Sequence, residues 1–224
     1  MKASNSRENL RFSDESTTLK IIHAIEHNGT TSQRSLAKEV EIALGLTNAY
    51  LKRCIKKGWV KVSQAPTKRY FYYLTPKGFS EKARLTATYL SHSFDMFRAA
   101  RAQFDEIIEA CDKRGATRVA LIGASELAEV AILSSLNKTP NIIAVVDPVS
   151  NVPSVAGIPI VHQLSELSNI DVVIITDMQS SQMTFDQLRL QMPEDQLLAP
   201  DLLRINRTNK GKTHERAYAW SGGT

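Results

Sequence analysis

The stretch VALIGASELAEVA, residues 119–131, runs from an apolar segment through a single glycine into a segment with helical spacing. A buried strand, a tight turn and a helix in this order form the first half of a βα unit. A dinucleotide-binding turn usually reads G-x-G-x-x-G or A. Here Gly123 is present, but Ser125 stands where the second glycine belongs. The stretch therefore predicts an α/β domain and raises the question of whether its turn holds a ligand.

Strand and helix patterns alternate through the rest of this half of the chain. Apolar runs predict strands at 118–123, 141–147, 157–161 and 171–177, with a weaker one near 197–205. Helical spacing is found at 124–137, 162–167 and 181–192. Continuous β-branched runs indicate strands that are buried on both faces, so we expect a small, mostly parallel, Rossmann-like sheet with helices on each side.

In such sheets, ligands bind beyond the carboxyl ends of the strands, where the strand order reverses. The helix after Gly123 would direct free amides at this edge, and these amides favour a phosphate. Asp147 ends the second strand 24 positions after Gly123, where an acidic side chain commonly holds a ribose hydroxyl. Our candidate ligand-binding residues are Gly123, Ala124, Ser125, Glu126, Asp147 and Asp177. The alternative is a structural turn in which Glu126 only caps its helix.

The first part of the chain carries three short helical patterns. Residues 14–27 have amphipathic spacing, Thr31 or Ser32 can cap a second helix, and LGLTNAYLKRCIKK (44–57) forms a third. This spacing is typical of a helix-turn-helix, in which the third helix enters the major groove of DNA. Thr47, Leu51 and Cys54 lie on one stripe and should face the core.

A hairpin pattern follows the third helix. Residues 59–62 and 70–74 predict two strands around the polar turn SQAPTKR, which is the arrangement of a wing. Lys and Arg at such positions reach phosphates, and Asn can pair with adenine. The candidate DNA-binding residues are Ser32, Gln33, Arg34, Asn48, Ala49, Lys52, Arg53, Lys68 and Arg69. Lys52 and Arg53 could equally belong to a solvated helix face.

The stretches SQRSLAKEVEIALGLTNAYLKRCIKKGWVK and YFYYLTPKGFSEKARLT resemble the MarR-type winged-helix regulators found near exopolysaccharide genes, over roughly residues 17–90. The resemblance implies sequence-specific binding of double-stranded DNA by a homodimer. Apolar Leu46 and Ala49 depart from the usual recognition helix, which leaves the operator sequence open.

A second resemblance covers roughly residues 117–177. The segments IGASELAEVA, IIAVVDPVSNV and VAGIPIVHQLSEL are similar to nucleotide-binding domains of polysaccharide-biosynthesis enzymes and to CoA- or NAD-binding sensor domains. The resemblance implies a nucleotide-type effector, with a nucleotide sugar the first candidate and NAD(H) the second. Pro148 replaces a second acidic residue, which leaves the identity of the ligand open.

The two predicted domains are joined by a long helical segment. We expect a winged helix-turn-helix at 1–75, a connector at 76–114 with a break near 91–93, a Rossmann-like domain at 115–206 and a flexible basic tail at 207–224. The apolar stripe of the connector needs a cover. That cover is either the same helix of a second subunit or the second domain of the same chain.

Charge separates the two halves of the chain. Residues 1–92 hold 16 Lys and Arg against 7 Asp and Glu, whereas residues 115–206 hold 4 against 10. The basic half suggests a polyanion partner, although a solvated basic surface is the alternative. Cys54 and Cys111 lack metal or redox spacing, and the start MKASNSRENLRFSDES is not a secretory signal. We expect a cytoplasmic protein without a membrane partner.

The histidines are scattered, and no catalytic triad, Tyr-x-x-x-Lys pair or metal cluster is seen in the sequence. An enzyme is therefore the least favoured class. The favoured class is a dimeric DNA-binding regulator that senses a nucleotide-type ligand. A regulator whose sheet domain serves only as a dimerisation scaffold is the alternative.

Overall fold

The computed structural model describes residues 2–28, 32–65 and 69–208. The chain divides into two compact units, Met1–Phe94 and Asp95–Thr224. The predicted tail from 209 onward and the tip of the wing lie outside the described residues. Among the helices that are described, none is both long and apolar enough to cross a membrane.

The first unit begins with three helices: α1 at Lys2–His27, α2 at Gln33–Glu39 and α3 at Leu44–Lys56. Helix α1 starts well before the predicted residue 14. The stripe expected to face inward on α3 is confirmed, because its buried residues are Thr47, Leu51 and Cys54. The core of this unit consists of side chains from these three helices, the hairpin that follows, Trp59 just before it and Leu85 of the next helix; the members include Ile21, Ile22, Ile25, Leu36, Leu51 and Tyr72.

Two antiparallel strands follow α3: β1 at Val60–Ala65 and β2 at Arg69–Leu74. Their register pairs Val60 with Leu74 at one end and Ala65 with Arg69 at the other. This hairpin is the predicted wing, and both strands are longer than the sequence pattern indicated. Lys68 lies outside the described residues, and the structure describes only the backbone of Arg69.

Helix α4 spans Pro76–Lys113 without interruption. The break expected near Ser91–Ser93 is wrong, because the helix is continuous through both serines. The Ser93 hydroxyl donates to the carbonyl of Tyr89, one turn earlier in the same helix, at 2.9 Å. The helix covers all but the last residue of the predicted connector, 76–114. The boundary between the two units falls after Phe94, and the later part of α4 contributes Ala100, Phe104, Ile108 and Cys111 to the core of the second unit.

The second unit is a six-stranded sheet with helices α5 (Glu126–Ser135) and α6 (Ser181–Leu188). Its strands are β3 (Arg118–Ile122), β4 (Asn141–Val146), β5 (Ser154–Val155), β6 (Ile158–Val161), β7 (Val172–Ile175) and β8 (Leu197–Leu198). Their order is β5-β6-β4-β3-β7-β8, and every pair is parallel except β5 with β6.

The structure confirms an α/β architecture with a parallel-rich sheet. The weaker strand expected over 197–205 is wrong in length, because only two residues pair with β7 before Pro200 and a 3-10 turn at Asp201–Leu203 end it. From β3 the chain continues to β4 and then to β6 on one side of the sheet, and later adds β7 and β8 on the other side of β3. The strand order therefore reverses between β3 and β7. The polar edge expected to hold a ligand lies at this point.

Candidate functional site

The outer face of α3 is the first candidate surface. Leu46 is 48% exposed, and Ala49 and Lys52 are also exposed. No hydrogen bond or ion pair engages Lys52 within the described part of the chain. Lys52 thus presents a free ammonium group on the helix that would enter a groove.

Asn48 differs from its predicted outward position. The residue is only half-exposed, and its amide oxygen is buried without a hydrogen-bond partner among the described residues. A buried oxygen without a hydrogen bond destabilises the structure, so a rearrangement that gives the Asn48 oxygen a donor would be favourable. Its predicted role in reading adenine stays a prediction.

Arg53 also differs from the outward position expected for it. Its guanidinium donates to Asp14 Oδ1 at 2.8 Å and to the Thr18 hydroxyl at 3.3 Å, and it stacks over the Tyr50 ring at 4.4 Å. Burial raises the pKa of Asp14, but the hydrogen bonds from Arg53 and from Tyr50 outweigh burial and hold that pKa below its usual value. Arg53 therefore ties α3 to α1, a contact that the sequence pattern gave no reason to expect.

The residues at the start of α2 are partly engaged in holding the fold. The Ser32 hydroxyl accepts from the Ser35 amide at 3.1 Å, which confirms Ser32 as the helix cap. The Gln33 amide nitrogen donates to the Tyr72 hydroxyl at 3.3 Å and so links α2 to the hairpin. Of these three candidates, Ser32 and Gln33 are engaged in hydrogen bonds that hold the fold, and Arg34 is exposed.

The second candidate surface is a cleft of about 910 Å³ at the carboxyl ends of β3, β4 and β7. The turn after β3 forms its floor: Gly123 has φ +102°, and its amide donates to the Val146 carbonyl at 2.9 Å. A Cβ at this position would lie 2.6 Å from the Asp177 Cα. Only glycine fits there, because both the positive φ and the close approach of Asp177, just after β7, exclude a side chain.

Asp147 supports this turn from the end of β4. Its Oδ2 accepts from the Ala124 amide at 2.8 Å, and its Oδ1 accepts from the amides of Val149 and Ser150 at 3.0 Å each. The sequence places Asp147 at the cleft correctly, but both of its oxygens already bind backbone. A ribose hydroxyl would have to use their remaining lone pairs or displace the Ala124 amide.

Ser125 is engaged in the same way. Its hydroxyl accepts from the Leu127 amide at 3.1 Å and donates to the Thr176 carbonyl at 2.6 Å. The proton that we expected it to offer to a phosphate is thus directed to β7. Ser125 caps α5, which leaves the exposed Glu126 as the first helical residue beside the cleft.

Asp177 lies opposite, at the end of β7. Its carboxylate accepts from the Gln179 and Ser180 amides and from the hydroxyls of Ser180 and Thr184, at 2.6 to 3.1 Å. Burial raises the pKa of Asp177, but the hydrogen bonds from Ser180 and Thr184 outweigh burial and hold it below the usual value. Asp177 is therefore an ionised anchor for the start of α6.

The structure thus brings together all six predicted ligand residues. Sequence reasoning missed the side chains that complete the walls of the cleft: Val149, Gln179, Ser180, Met183, Thr184 and Gln187. Ser180 and Thr184 could have been found from their spacing after the acidic end of β7. The described residues that line the cleft include three acidic side chains and no Lys, Arg or His.

The family model of the winged helix-turn-helix DNA-binding domain matches residues 14–61. The match runs from within α1 to the start of β1 and confirms the predicted helix-turn-helix fold there. It covers well under half of the chain. No curated protein matches the sequence.

Several solved structures are similar to part of the chain. MepR of Staphylococcus aureus, a transcription regulator of the multidrug efflux pump MepA, is 12% identical with a TM-score of 0.32, over 36% of this chain and 61% of that one. FabT of Streptococcus pneumoniae, in complex with DNA, is 16% identical with a TM-score of 0.30, over 35% and 57%. The multiple antibiotic-resistance repressor MarR of Listeria monocytogenes is 20% identical with a TM-score of 0.30, over 42% and 71%. This chain spans less than two thirds of the first two.

Proposed function

We propose that this protein is a transcription regulator that binds double-stranded DNA through α3 and the hairpin. The observation that carries the proposal is Lys52 on the outer face of α3, which is exposed and has no hydrogen bond or ion pair with any residue that the structure describes. It lies within the segment that matches a DNA-binding winged helix-turn-helix. The excess of basic residues in 1–92 supports it, because phosphate contacts supply most of the affinity for DNA.

The test begins with selection of a bound sequence from random duplexes, since the operator is unknown. Affinity for the selected duplex is then measured by fluorescence anisotropy over a range of salt concentrations. If Lys52 contacts a phosphate, Lys52→Ala should weaken binding and reduce the slope of log K against log salt by about 1.

Lys113→Ala is the matched control for this experiment. Lys113 is equally cationic and helical, its side chain is 72% exposed, and it pairs only with Glu109 one turn earlier on α4. Its removal should leave the salt slope unchanged. If both variants lost the same affinity for DNA, the loss would be explained by net charge alone, and α3 would be rejected as the binding helix.

We also propose that the regulator is a homodimer. Part of α4 carries large apolar side chains that remain exposed: Tyr89, Leu90, Phe94, Met96 and Phe97, each between 39% and 59%. Exposed apolar stripes of this kind are normally covered by a partner surface. We favour a second subunit as the cover, because the side chains of α4 that pack within each unit are a different set, which is already buried.

The cleft of the second unit supports a further part of the proposal, a small-molecule effector. Its volume of about 910 Å³ suits a nucleotide, and Val149 and Met183 provide an apolar wall for a base. From the resemblance, we propose a nucleotide sugar or NAD(H) as the effector and polysaccharide genes as the targets. Coupling requires that the ligand prefer one of two dimer geometries, so that it alters affinity for DNA.

A thermal-shift screen of nucleotide sugars, NAD(H) and CoA esters tests this part, because a ligand that binds only the folded state raises the melting temperature. Met183→Trp should fill the cleft and abolish the shift. Leu190→Trp is the control, since Leu190 is 84% exposed just beyond α6 and does not line the cleft. If no compound shifts the wild type, the scaffold alternative stands; turnover of any compound would indicate an enzyme.

A further inference from the structure

The last two turns of α1 carry two histidines on their solvent face. His23 and His27 are four residues apart, and their ring centroids are 4.5 Å apart with the planes tilted by 50°. Both side chains are exposed, while Ile21, Ile22 and Ile25 on the opposite face are buried in the core of the first unit. The buried face fixes the orientation of the helix, so the two imidazoles are held side by side in water.

The i, i+4 spacing and the 4.5 Å between ring centroids bring the two imidazoles close enough to bind one metal ion together. Residues four apart on a helix are neighbours, and two histidines at this spacing are how the helix of many metalloproteases holds zinc. Neutral imidazole binds Cu²⁺, Ni²⁺ and Zn²⁺ well but has little affinity for Mg²⁺ or Ca²⁺, which prefer oxygen ligands. Two rings that already lie side by side lose less side-chain freedom when a metal joins them than two separated rings would.

The residue between the rings separates this site from a catalytic one. Glu26 completes the pattern His-Ala-Ile-Glu-His, but its carboxylate is paired with Lys82 of α4 and is not free to act as a base. No group of three or more metal-binding side chains is found in the part of the chain that the structure describes. The two imidazoles therefore leave the remaining coordination positions to water.

We propose that His23 and His27 chelate one late transition-metal ion, Cu²⁺, Ni²⁺ or Zn²⁺, on the surface of α1. The metal bridges the last turn of the helix. Asn28 follows directly, and its side-chain amide donates to the Glu39 carboxylate of α2 at 3.1 Å. A bound ion thus stabilises the end of α1, after which the chain continues to α2 and α3. The metal site requires neither DNA binding nor an occupied ligand cleft.

The experiment uses the full chain without a polyhistidine tag. Binding of NiCl₂ is measured by titration calorimetry, and the electron paramagnetic resonance spectrum of added Cu²⁺ reports the number of bound nitrogens. The expected result is one Ni²⁺ per chain, two nitrogens on Cu²⁺, and no response to Mg²⁺. Affinity should follow the order Ni²⁺ below Cu²⁺ above Zn²⁺.

Two variants, His23→Gln and His27→Gln, keep good helix formers at exposed positions and should fold normally. Each should weaken Ni²⁺ binding by more than about tenfold, since even outer-shell partners of a metal site are worth about 10- to 100-fold. His162→Gln, which removes another exposed histidine from the second unit, is the matched control and should bind as the wild type does. Absence of Ni²⁺ binding by the wild type, or full binding by either His23→Gln or His27→Gln, overturns the proposal.

Discussion

Replacement of Gly123 by alanine is the sharpest test of how the cleft is built. At φ +102° an L-residue is strained, which costs about 1–2 kcal/mol. The new Cβ would also lie 2.6 Å from the Asp177 Cα and 2.7 Å from its amide nitrogen, both of which are backbone atoms. Because backbone cannot rotate away as a side chain can, the end of β7 must shift, at a further cost of about 1–3 kcal/mol.

We therefore expect Gly123→Ala to lower the free energy of unfolding of the second unit by about 2–5 kcal/mol, the sum of the strain and the overlap. Gly157→Ala separates these two contributions. Gly157 also has a positive φ, +84°, but a Cβ there meets nothing within 4 Å. That variant should lose only the strain, about 1–2 kcal/mol.

Hydrogen exchange measured by mass spectrometry reads out the two units separately. Peptides from β3 and β7 should lose protection strongly in Gly123→Ala and weakly in Gly157→Ala, while peptides from α1 to α3 should not change. Urea unfolding of the same variants gives the free-energy differences. If the two variants were equally stable, the close approach of Gly123 to Asp177 would not contribute, and the account of the turn would be refuted.

Three more predictions concern Arg53, Asp177 and Leu90. Arg53→Ala should lower the stability of the first unit by about 1 kcal/mol in urea unfolding, because the partly exposed pair with Asp14 is lost; loss of DNA affinity with unchanged stability would contradict the structural role of Arg53. The hydrogen bonds that lower the pKa of Asp177 stabilise the folded state fully above its ordinary value of 3.8, and this stability is lost as pH falls through the lower folded value. Asp177→Asn should therefore make the free energy of unfolding depend less on pH in the acid range. Leu90→Glu should shift the protein from dimer to monomer in light scattering and weaken DNA binding with it, because Leu90 is 48% exposed on the apolar stripe of α4; an unchanged dimer would place the interface elsewhere.

Local periodicity in the sequence was sufficient to predict most of the helices and strands. The sequence pattern for the first strand of the sheet, 118–123, matches β3 at Arg118–Ile122, and the inward stripe of α3 is correct at all three positions. Side-chain period depends only on neighbours along the chain, so it can be read without a fold. The winged helix-turn-helix and the α/β sheet were predictable for this reason.

The ends of elements were less predictable. The weak apolar run after 197 predicts a strand of nine residues, but only Leu197 and Leu198 pair with β7. Pro200, which has no amide hydrogen to donate, and the 3-10 turn at Asp201–Leu203 end the strand. Ser91 to Ser93 do not interrupt α4, which buries Leu85 before them and Ala100, Phe104 and Ile108 after them.

The sequence by itself determined six of the residues that meet at the cleft, because the strand ends of a parallel sheet share one edge and these six residues follow those ends. Only the tertiary structure decided what these residues do. Ser125 donates to a carbonyl 51 positions away, Asp147 caps an amide 23 positions before it, and Arg53 reaches back 39 positions to Asp14. A polar side chain binds the nearest unsatisfied group in space, and that group is known only after distant segments have been brought together by the burial of their apolar faces.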